Sequence, residues 1–409
     1  MTIRRYNHDS DLEACLRIYR EVGWVDEDKH EKASAELFKA SRGWVAELHG
    51  SAECLAHAMS GSIRYQQNDL PLCIVTGVTT SRIARKQGWA ARVTAKLLAE
   101  EAAQGQAVAI LGIFEQGYYN QLGFGNGSYE LFCSLEPCML EVTVKASMPV
   151  RLSKDDWQAM HEARLHRRRL HGGCTIHSPA LTMAELLWSD NGFGLGYLDA
   201  QGDLSHHFWC SAKGEHGPYR IQWMSYNTRE QFLELLALVQ SLGDQVHSIK
   251  LAEPPGIQLQ DYLRQPFRLR ELTHQSPHEN RMTAAAYWQA RILNLEPCIA
   301  ATQWEAAPIG FNLTLTDPVQ NWLPEDSTWR GISGDYTITL GQESSIEPGL
   351  TESLPTMRAS VNAFSRMWLG VRSATSLSWS DALQAPESLL DVLDHGLTFS
   401  APPRPDWDF

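Results

Sequence analysis

A short basic turn is the segment of this sequence best suited to bind an anion. Arg85 and Lys86 precede Gly88 and Ala90, whose small side chains let a ligand approach the backbone closely. The first N–H groups of a helix have no partner within it, and the helix dipole favours negative charge there. Because a β-branched run precedes the turn, the pattern predicts a strand, a phosphate-binding loop and a helix. An ordinary helix start with solvated basic residues would give the same letters.

Two tyrosines in a later segment, Gly117–Phe124, offer a proton donor. A phenol has a reference pKa of about 10, so it is protonated at neutral pH and can donate a proton to a leaving group. Tyr118 and Tyr119 are rivals for such a role. The alternative is an aromatic ring that simply packs on the turn after it.

The amino-acid composition limits the kinds of partner that the protein can bind. Lys and Arg number 35 against 48 Asp and Glu, a net charge of −13, which disfavours nucleic acid and anionic membranes. No apolar run is long enough to cross a bilayer, so we predict a cytoplasmic protein. The cysteines form no C-x-x-C pair and His206–His207 lacks partners at metal spacing, so no metal is expected. In so acidic a chain, a local basic cluster favours an anionic cofactor.

The elements around the basic turn follow from residue periodicity. Leu72–Thr80 is a β-branched run, Arg85–Glu101 is rich in helix formers, and Ala107–Phe114 returns to strand composition. Parallel strands need such a crossover helix, so we expect a partly parallel sheet with its site at the carboxyl ends of the strands.

Predicted strands and helices continue to alternate along the rest of the chain. Gln231–Leu242 predicts an amphipathic helix, a helix is expected around Trp288, and short strands such as Phe311–Thr316 and Asp335–Leu340 follow. Changes in pattern place domain joints near residues 148 and 282.

The two segments resemble, in order, the signatures of the GNAT acetyltransferase superfamily, a Q/R-x-x-G-x-G/A loop and a later F/Y-Y-x-x-x-G-F run. Over the whole chain, the sequence resembles the enhanced intracellular survival (Eis) family. The resemblance implies an α+β fold of tandem GNAT-like mixed-sheet domains followed by a sterol-carrier-protein-like α+β domain. Residues 1–148 would hold the coenzyme A site, 149–282 a degenerate GNAT-like domain, and 283–409 the C-terminal domain.

The resemblance also implies roles for individual residues. Tyr119 matches the general acid, and the terminal carboxylate of Phe409 matches the general base. The residues that match the coenzyme site are Val78, Thr79, Thr80, Arg85, Lys86, Gln87, Gly88, Trp89 and Ala90. The loop departs from the family where Arg82 replaces the usual proline and Trp89 a smaller aliphatic residue.

Acidic and aromatic residues suggest where an acceptor amine would bind. Trp24 and Asp26, together with Asp408, could line a pocket for a cation, although a solvated acidic turn explains the first two equally well. Trp407 and Phe409 argue against a frayed chain end, because exposed aromatic rings gain nothing in water.

The resulting functional hypothesis is acetyl transfer from acetyl-CoA, without a metal, to a primary amine by direct attack in a ternary complex. The acceptor could be a polyamine, an aminoglycoside-like cation or a lysine. The resemblance also implies a homo-oligomer, commonly a hexamer. The alternative is a non-catalytic acyl-CoA sensor or a lipid-binding protein that uses the C-terminal domain.

Overall fold

The computed structural model describes residues 2–26, 28–113, 115, 117–266 and 277–409. Within these ranges the chain forms two compact units. The first contains Met1–Ser128, Leu170–His177 and Ala286–Phe409, and the second contains Tyr129–Arg169 and Ser178–Ala285. None of the described helices is both long and apolar enough to span a bilayer.

The described residues form helices and strands along both units. The strands are β1 (Thr2–Arg5), β2 (Arg42–Leu48), β3 (Ser51–Tyr65), β4 (Asn68–Thr80), β5 (Val108–Gly112), β6 (Gly125–Asn126), β7 (Glu130–Leu135), β8 (Val150–Leu152), β9 (Cys174–Ile176), β10 (Gly192–Leu198), β11 (Leu204–Ser211), β12 (Tyr219–Ser225), β13 (Ile249–Ala252), β14 (Arg281–Ala285), β15 (Trp288–Ile292), β16 (Ile309–Thr316), β17 (Gly334–Leu340), β18 (Ser345–Pro348), β19 (Thr356–Ser360) and β20 (Leu383–Gln384). The helices are α1 (His8–Val22), α2 (Asp28–Ala40), α3 (Trp89–Ala103), α4 (Trp157–Leu165), α5 (Pro179–Trp188), α6 (Arg229–Ser241), α7 (Leu295–Ala300), α8 (Val361–Trp368), α9 (Ala374–Ser380) and α10 (Glu387–Gly396).

The first sheet carries the predicted strand, loop, helix and strand. Its order is β1-β2-β3-β4-β5-β15-β6, with β9 also paired to β3. Helix α3 joins β4 to β5, and these two strands are parallel, as predicted. Buried Val93, Leu97 and Leu98 of α3 belong to the same apolar cluster as strand residues such as Val75 and Leu111. This packing fixes the start of α3 relative to the strand ends.

Strand β15 corrects one prediction. The helix expected around Trp288 is wrong, because Trp288–Ile292 forms a strand between β5 and β6. Every residue of this strand is buried, so its pattern shows no amphipathic period that would separate strand from helix. Its partners are far away in sequence, and pairing with them decides its conformation.

The first unit also contains a second sheet, of order β18-β17-β16-β19-β20. The predicted strands Phe311–Thr316 and Asp335–Leu340 are confirmed within β16 and β17. In that sheet β16 and β19 are parallel, and the other paired strands are antiparallel.

The second unit is built on a mixed sheet of order β14-β7-β13-β12-β11-β10-β8. Helix α6, which confirms the predicted amphipathic helix, joins β12 to the parallel strand β13. Its Phe232, Leu235 and Leu236 are buried in the core of this unit. Helices packed with mixed sheets in both units confirm the predicted α+β class.

Candidate functional site

The site begins where β4 and β5 part. The two strands pair from Leu72 and Val108 to Val75 and Leu111. Beyond this point β4 continues to Thr80 while it stays paired with β3, whereas β5 ends at Gly112. The edge of β4 that faces β5 is therefore without a β5 partner from Thr76 onward. An unpaired edge of this kind can accept an extended, amide-bearing ligand as an additional strand.

A bulge in β4 lies at the same place. Ala56 of β3 faces both Gly77 and Val78, so β4 carries one extra residue against its partner. Gly77 has a left-handed φ of 64°, and a Cβ there would lie 2.5 Å from the Tyr19 hydroxyl oxygen. Only glycine fits both constraints. The bulge leaves a backbone group outside the ladder next to the strand opening.

The predicted coenzyme residues of β4 present backbone rather than side chains. Val78 and Thr79 are buried. Thr80 donates from its hydroxyl to the sulfur of Cys54, at 3.2 Å. The backbone of Val78–Thr80 is thus what this strand offers to a ligand.

Among the residues that the structure describes, none caps the start of α3 with its side chain. Gly88 is the N-cap, with a left-handed φ of 76°, and no side chain bonds the free N–H groups of the first turn. The first turn contains no acidic residue either. Lys86 also has a positive φ, of 60°, so the loop turns sharply before the helix. Uncapped N–H groups and the helix dipole together form a binding site for an anion.

The side chains around this helix start divide into two groups. Arg85 and Lys86 are exposed and lie directly before the free N–H groups. Gln87 instead bonds within the loop, donating to the Ile83 carbonyl at 3.2 Å and accepting from the Trp89 indole at 3.4 Å. Arg85 and Lys86 thus place positive charge beside the helix start, whereas the Gln87 side chain is engaged within the loop. The roles of all three in coenzyme binding stay predictions.

Two arginines near the loop have roles that the sequence did not reveal. Arg82 bonds Glu21 of α1, its backbone N–H donating to the carboxylate at 2.8 Å and its side chain to the carbonyl at 3.2 Å. This residue ties the loop to α1, which explains how the departure from proline is accommodated. Arg92, which we did not predict, lies 4.9 Å over the Trp89 ring and adds a cation to the first turns of α3.

Tyr119 begins a short 3₁₀ turn, Tyr119–Leu122, and is only 4% exposed. Burial raises the pKa of its phenol above the usual value. The Tyr118 ring lies 4.9 Å away, edge to face. Among the described residues no group bonds the buried Tyr118 hydroxyl. Both phenols remain neutral well above neutral pH, and the geometry leaves both as possible donors.

The end of the chain lies against β5. A Cβ placed on Gly112 would lie 2.9 Å from the main-chain oxygen of Phe409. Trp407 is 4% exposed, and the Pro405 carbonyl accepts a hydrogen bond from the Cys174 backbone at 2.8 Å. The tail is packed in place, as its aromatic residues predicted, and it brings Phe409 to the carboxyl end of β5.

Each of the three residues predicted to bind the acceptor has local contacts of its own. Trp24 is 42% exposed and packs edge to face on Tyr19. The Asp26 carboxylate pairs with His30 at 2.8 Å on the same turn. Asp408 is exposed and accepts from the Phe409 backbone at 3.1 Å. Their role in acceptor binding stays a prediction.

Within the described residues no group of three or more His, Cys, Asp or Glu side chains could hold a metal ion.

A family match identifies the class of domain at the start of the chain. Residues 2–127 match the acetyltransferase (GNAT) domain family. The chain thus carries a GNAT acetyltransferase domain, a class of domain that uses acetyl-CoA and supports acyl transfer.

Solved structures match the chain over almost its full length. A probable N-acyltransferase from Enterococcus faecalis is 16% identical, with a TM-score of 0.79 over 98% of this chain and 97% of that one. A GCN5-related N-acetyltransferase from Anabaena variabilis is 12% identical, with a TM-score of 0.76 and 98% of each chain covered. Eis1 from Mycobacterium abscessus is 14% identical, with a TM-score of 0.76 and 100% of each chain covered. At these identities the likeness is one of fold. No curated protein matches the sequence significantly.

Proposed function

We propose that this protein transfers an acetyl group from acetyl-CoA to a primary amine, such as a polyamine, an aminoglycoside-like cation or a lysine. The observation that carries the proposal is the uncapped start of α3, with Arg85 and Lys86 beside it, at the end of a β4 edge that has no β5 partner. Ligands of α/β sheets bind at the carboxyl ends of the strands, where these features lie.

The residues present suit the coenzyme. Acetyl-CoA supplies a diphosphate and an acetyl thioester. The free N–H groups around Gly88, Trp89 and Ala90 suit the diphosphate, and the two exposed cations add charge-assisted hydrogen bonds. The open edge of Val78–Thr80 suits the amide-bearing arm, which can pair with it as a strand would.

The chain's own groups can move the protons. The acceptor ammonium loses a proton to the main-chain carboxylate of Phe409, beside Gly112. The amine nitrogen then bonds to the acetyl carbon, the carbon–sulfur bond breaks, and Tyr119 gives a proton to the departing thiolate. The second proton, which the nitrogen loses as it becomes an amide, returns to the Tyr119 phenolate. A backbone N–H at the β4 bulge stabilises the negative charge that develops on the carbonyl oxygen. Because burial raises the pKa of Tyr119, this acid stays loaded at neutral pH.

The acceptor is proposed to be a cation that Trp24, Asp26 and Asp408 recognise. An aromatic face and carboxylates are the usual partners of an ammonium group. Both carboxylates are exposed, so they are accessible to a substrate.

We further propose an Eis-like organisation, with domains at 1–148, 149–282 and 283–409, the last sterol-carrier-like, in a homo-oligomer. The full-length fold likeness to Eis1 from Mycobacterium abscessus supports the comparison.

Thiol release from acetyl-CoA with a panel of polyamines, aminoglycosides and lysine peptides tests the function. We expect release with at least one amine. Tyr119→Phe should lower kcat about 100-fold or more while coenzyme binding is unchanged, because it removes only the acidic proton. Tyr118→Phe tests the rival donor and should retain activity, and a greater loss of kcat in this variant than in Tyr119→Phe would make Tyr118 the acid. Coenzyme binding without release for any amine would instead favour an acyl-CoA sensor.

Adding a single glycine after Phe409 tests the base. The aromatic ring stays, but the carboxylate moves to a new residue. We expect kcat to fall about 10- to 100-fold with unchanged coenzyme binding. An extended chain with full activity would remove the Phe409 carboxylate from the mechanism.

A further inference from the structure

The turn that carries Tyr119 makes few hydrogen bonds of its own. Gly123 donates its backbone N–H to the Asn120 carbonyl at 3.1 Å, and Phe124 donates to the Tyr119 carbonyl at 3.3 Å. The carbonyls of Gln121 and Leu122 receive no such local bond, as is usual at the end of a short turn. Donors from outside the turn must therefore satisfy these two groups.

Side chains from the last third of the sequence supply the donors to Gln121 and Leu122, and add further donors to the carbonyls of Asn120 and Phe124. Asn362 donates to the carbonyls of Asn120, at 2.9 Å, and Phe124, at 2.7 Å. The Trp322 indole N–H donates to the Gln121 carbonyl at 3.2 Å, and Arg291 donates to the Leu122 carbonyl. We call Arg291, Trp322 and Asn362 the turn clamp. Its members come from β15, a 3₁₀ turn and α8.

The clamp is itself rigidly held. Arg291 and Asp317 are both fully buried, and the guanidinium donates to both carboxylate oxygens, at 3.2 and 2.5 Å. The same carboxylate accepts from the backbone N–H groups of Val319 and Ile332, at 3.1 and 3.0 Å. A buried ion pair with all its partners satisfied fixes one geometry, whereas breaking it leaves a costly unpaired charge.

Gly123 allows the clamp to approach. Its φ is 87°, in the left-handed region, and a Cβ at this position would lie 2.5 Å from an Arg291 guanidinium nitrogen. The glycine of the G-F signature is thus needed both for the turn and for contact with Arg291.

We propose that the turn clamp positions the Tyr119 phenol for proton donation. This inference rests on the proposed function. The clamp residues touch the backbone of the turn, so they are positioning residues that act through Tyr119. A shift of about 1 Å in a reacting group can lower a rate about 100-fold, so a loosened turn costs turnover.

Asn362→Asp is the main test. The variant is nearly isosteric but its carboxylate cannot donate to the two carbonyls, and an acidic residue near the start of α8 is compatible with that helix. We expect kcat to fall about tenfold with unchanged coenzyme affinity. Trp322→Phe, which keeps the ring and loses one donor, should have a smaller effect of the same kind.

The matched control is Asn294→Asp. Asn294 also donates to two backbone carbonyls, those of Ala102 at 3.2 Å and Gln106 at 2.7 Å, and precedes a helix, but it does not bond the Tyr119 turn. It should change stability about as much as Asn362→Asp and leave kcat unchanged. An equal loss of kcat in both variants would overturn the proposal.

A double-mutant cycle separates positioning from a general structural role. In a Tyr119→Phe background, Asn362→Asp should have no further effect, because the group that it positions is gone. Thioesters with more acidic leaving thiols should also be less affected by Asn362→Asp. Multiplied losses in the double variant would refute the inference, whereas full activity of Tyr119→Phe alone would refute the proposed acid instead.

Discussion

Helices α3 and α6 occupy equivalent places in two strand–helix–strand units. Each joins a pair of parallel strands, β4 to β5 in the first unit and β12 to β13 in the second. Their first turns nevertheless differ in every feature that matters to an anion.

The start of α6 is closed by the protein. The Thr228 side chain accepts from the Gln231 backbone at 3.3 Å, and the Gln231 side chain accepts from the Thr228 backbone at 3.2 Å. Glu230, the second residue of the helix, has a lowered pKa because its carboxylate accepts hydrogen bonds from its own backbone N–H and from Thr228. An internal anion and a capping box thus use the donors that α3 leaves free.

The contrast shows that topology alone does not make an anion site. The α3 turn has Gly88 as its cap, Ala90 where α6 has Glu230, and two exposed cations before it. The difference lies in a few side chains, so substitutions can transfer it from one helix to the other.

Ala90→Glu should have the largest effect, because it gives α3 the acid that α6 carries at the same helical position. We expect coenzyme A affinity to fall about 10- to 100-fold, or about 1.4 to 2.8 kcal/mol, through repulsion of the diphosphate. An acid in the first turn also favours the helix, so the fold should not suffer. Titration calorimetry measures the affinity.

Ala90→Gln is the control for shape, since it has the same length without the charge. Its affinity should stay within a few-fold of the wild type. If both variants bound the coenzyme equally well, the diphosphate would not lie at this helix start.

Replacing Arg85 and Lys86 together by Gln should have an intermediate effect. Both side chains are exposed, so solvent screens them and each is worth about 0.2 to 1 kcal/mol. We expect affinity to fall about 2- to 20-fold and its salt dependence to weaken, which binding at two salt concentrations would detect. A variant with unchanged salt dependence would place the phosphates elsewhere.

Thr228→Ala should lower the free energy of unfolding by about 1 kcal/mol, because α6 loses its cap. Chemical denaturation measures this change, and coenzyme affinity should be unaffected. Thr228→Ser keeps the hydroxyl and should be nearly neutral, so an equal loss with serine would contradict the capping role.

Glu230→Gln should have the smallest effect, and one that depends on pH. The folded-state pKa of Glu230 is lowered, so its ionised form stabilises the fold above the unfolded pKa, about 4.3 for glutamate, and this contribution is lost as pH falls through the folded value. The Tm of the variant should lie below that of the wild type at pH 7, and the two should converge as the pH falls below the folded-state pKa of Glu230. A pH-independent difference would show that the charge does not matter.

Local patterns were sufficient for the strand, loop and helix around the proposed coenzyme site. The β-branched run, the basic turn and the Ala-rich helix lie consecutively in the chain, so their periodicity and cap residues are visible in one window. The bulge at Gly77 was not predicted from this segment, although a glycine within a strand pattern often marks a bulge.

Contacts between distant segments could not be read from the sequence. Trp288 was predicted in a helix because a fully buried strand has no alternating pattern, and its partners lie far away in the chain. Arg291 and Asn362 carry no motif, and only the fold shows that they bond the Tyr119 turn. Trp24 and Asp26 were proposed from residue type alone, which does not define a pocket.

The position of β15 has a consequence for biosynthesis. Among the described strands, β6 pairs only with β15, and β15 also covers one edge of β5. During translation, the N-terminal region would therefore emerge with exposed strand edges until Ile292 had left the ribosome. Contacts of such large sequence separation slow folding and leave nascent edges open to aggregation. A shortened protein that contains only residues 2–127 would lack β15, so the β5 edge that β15 covers would stay unpaired.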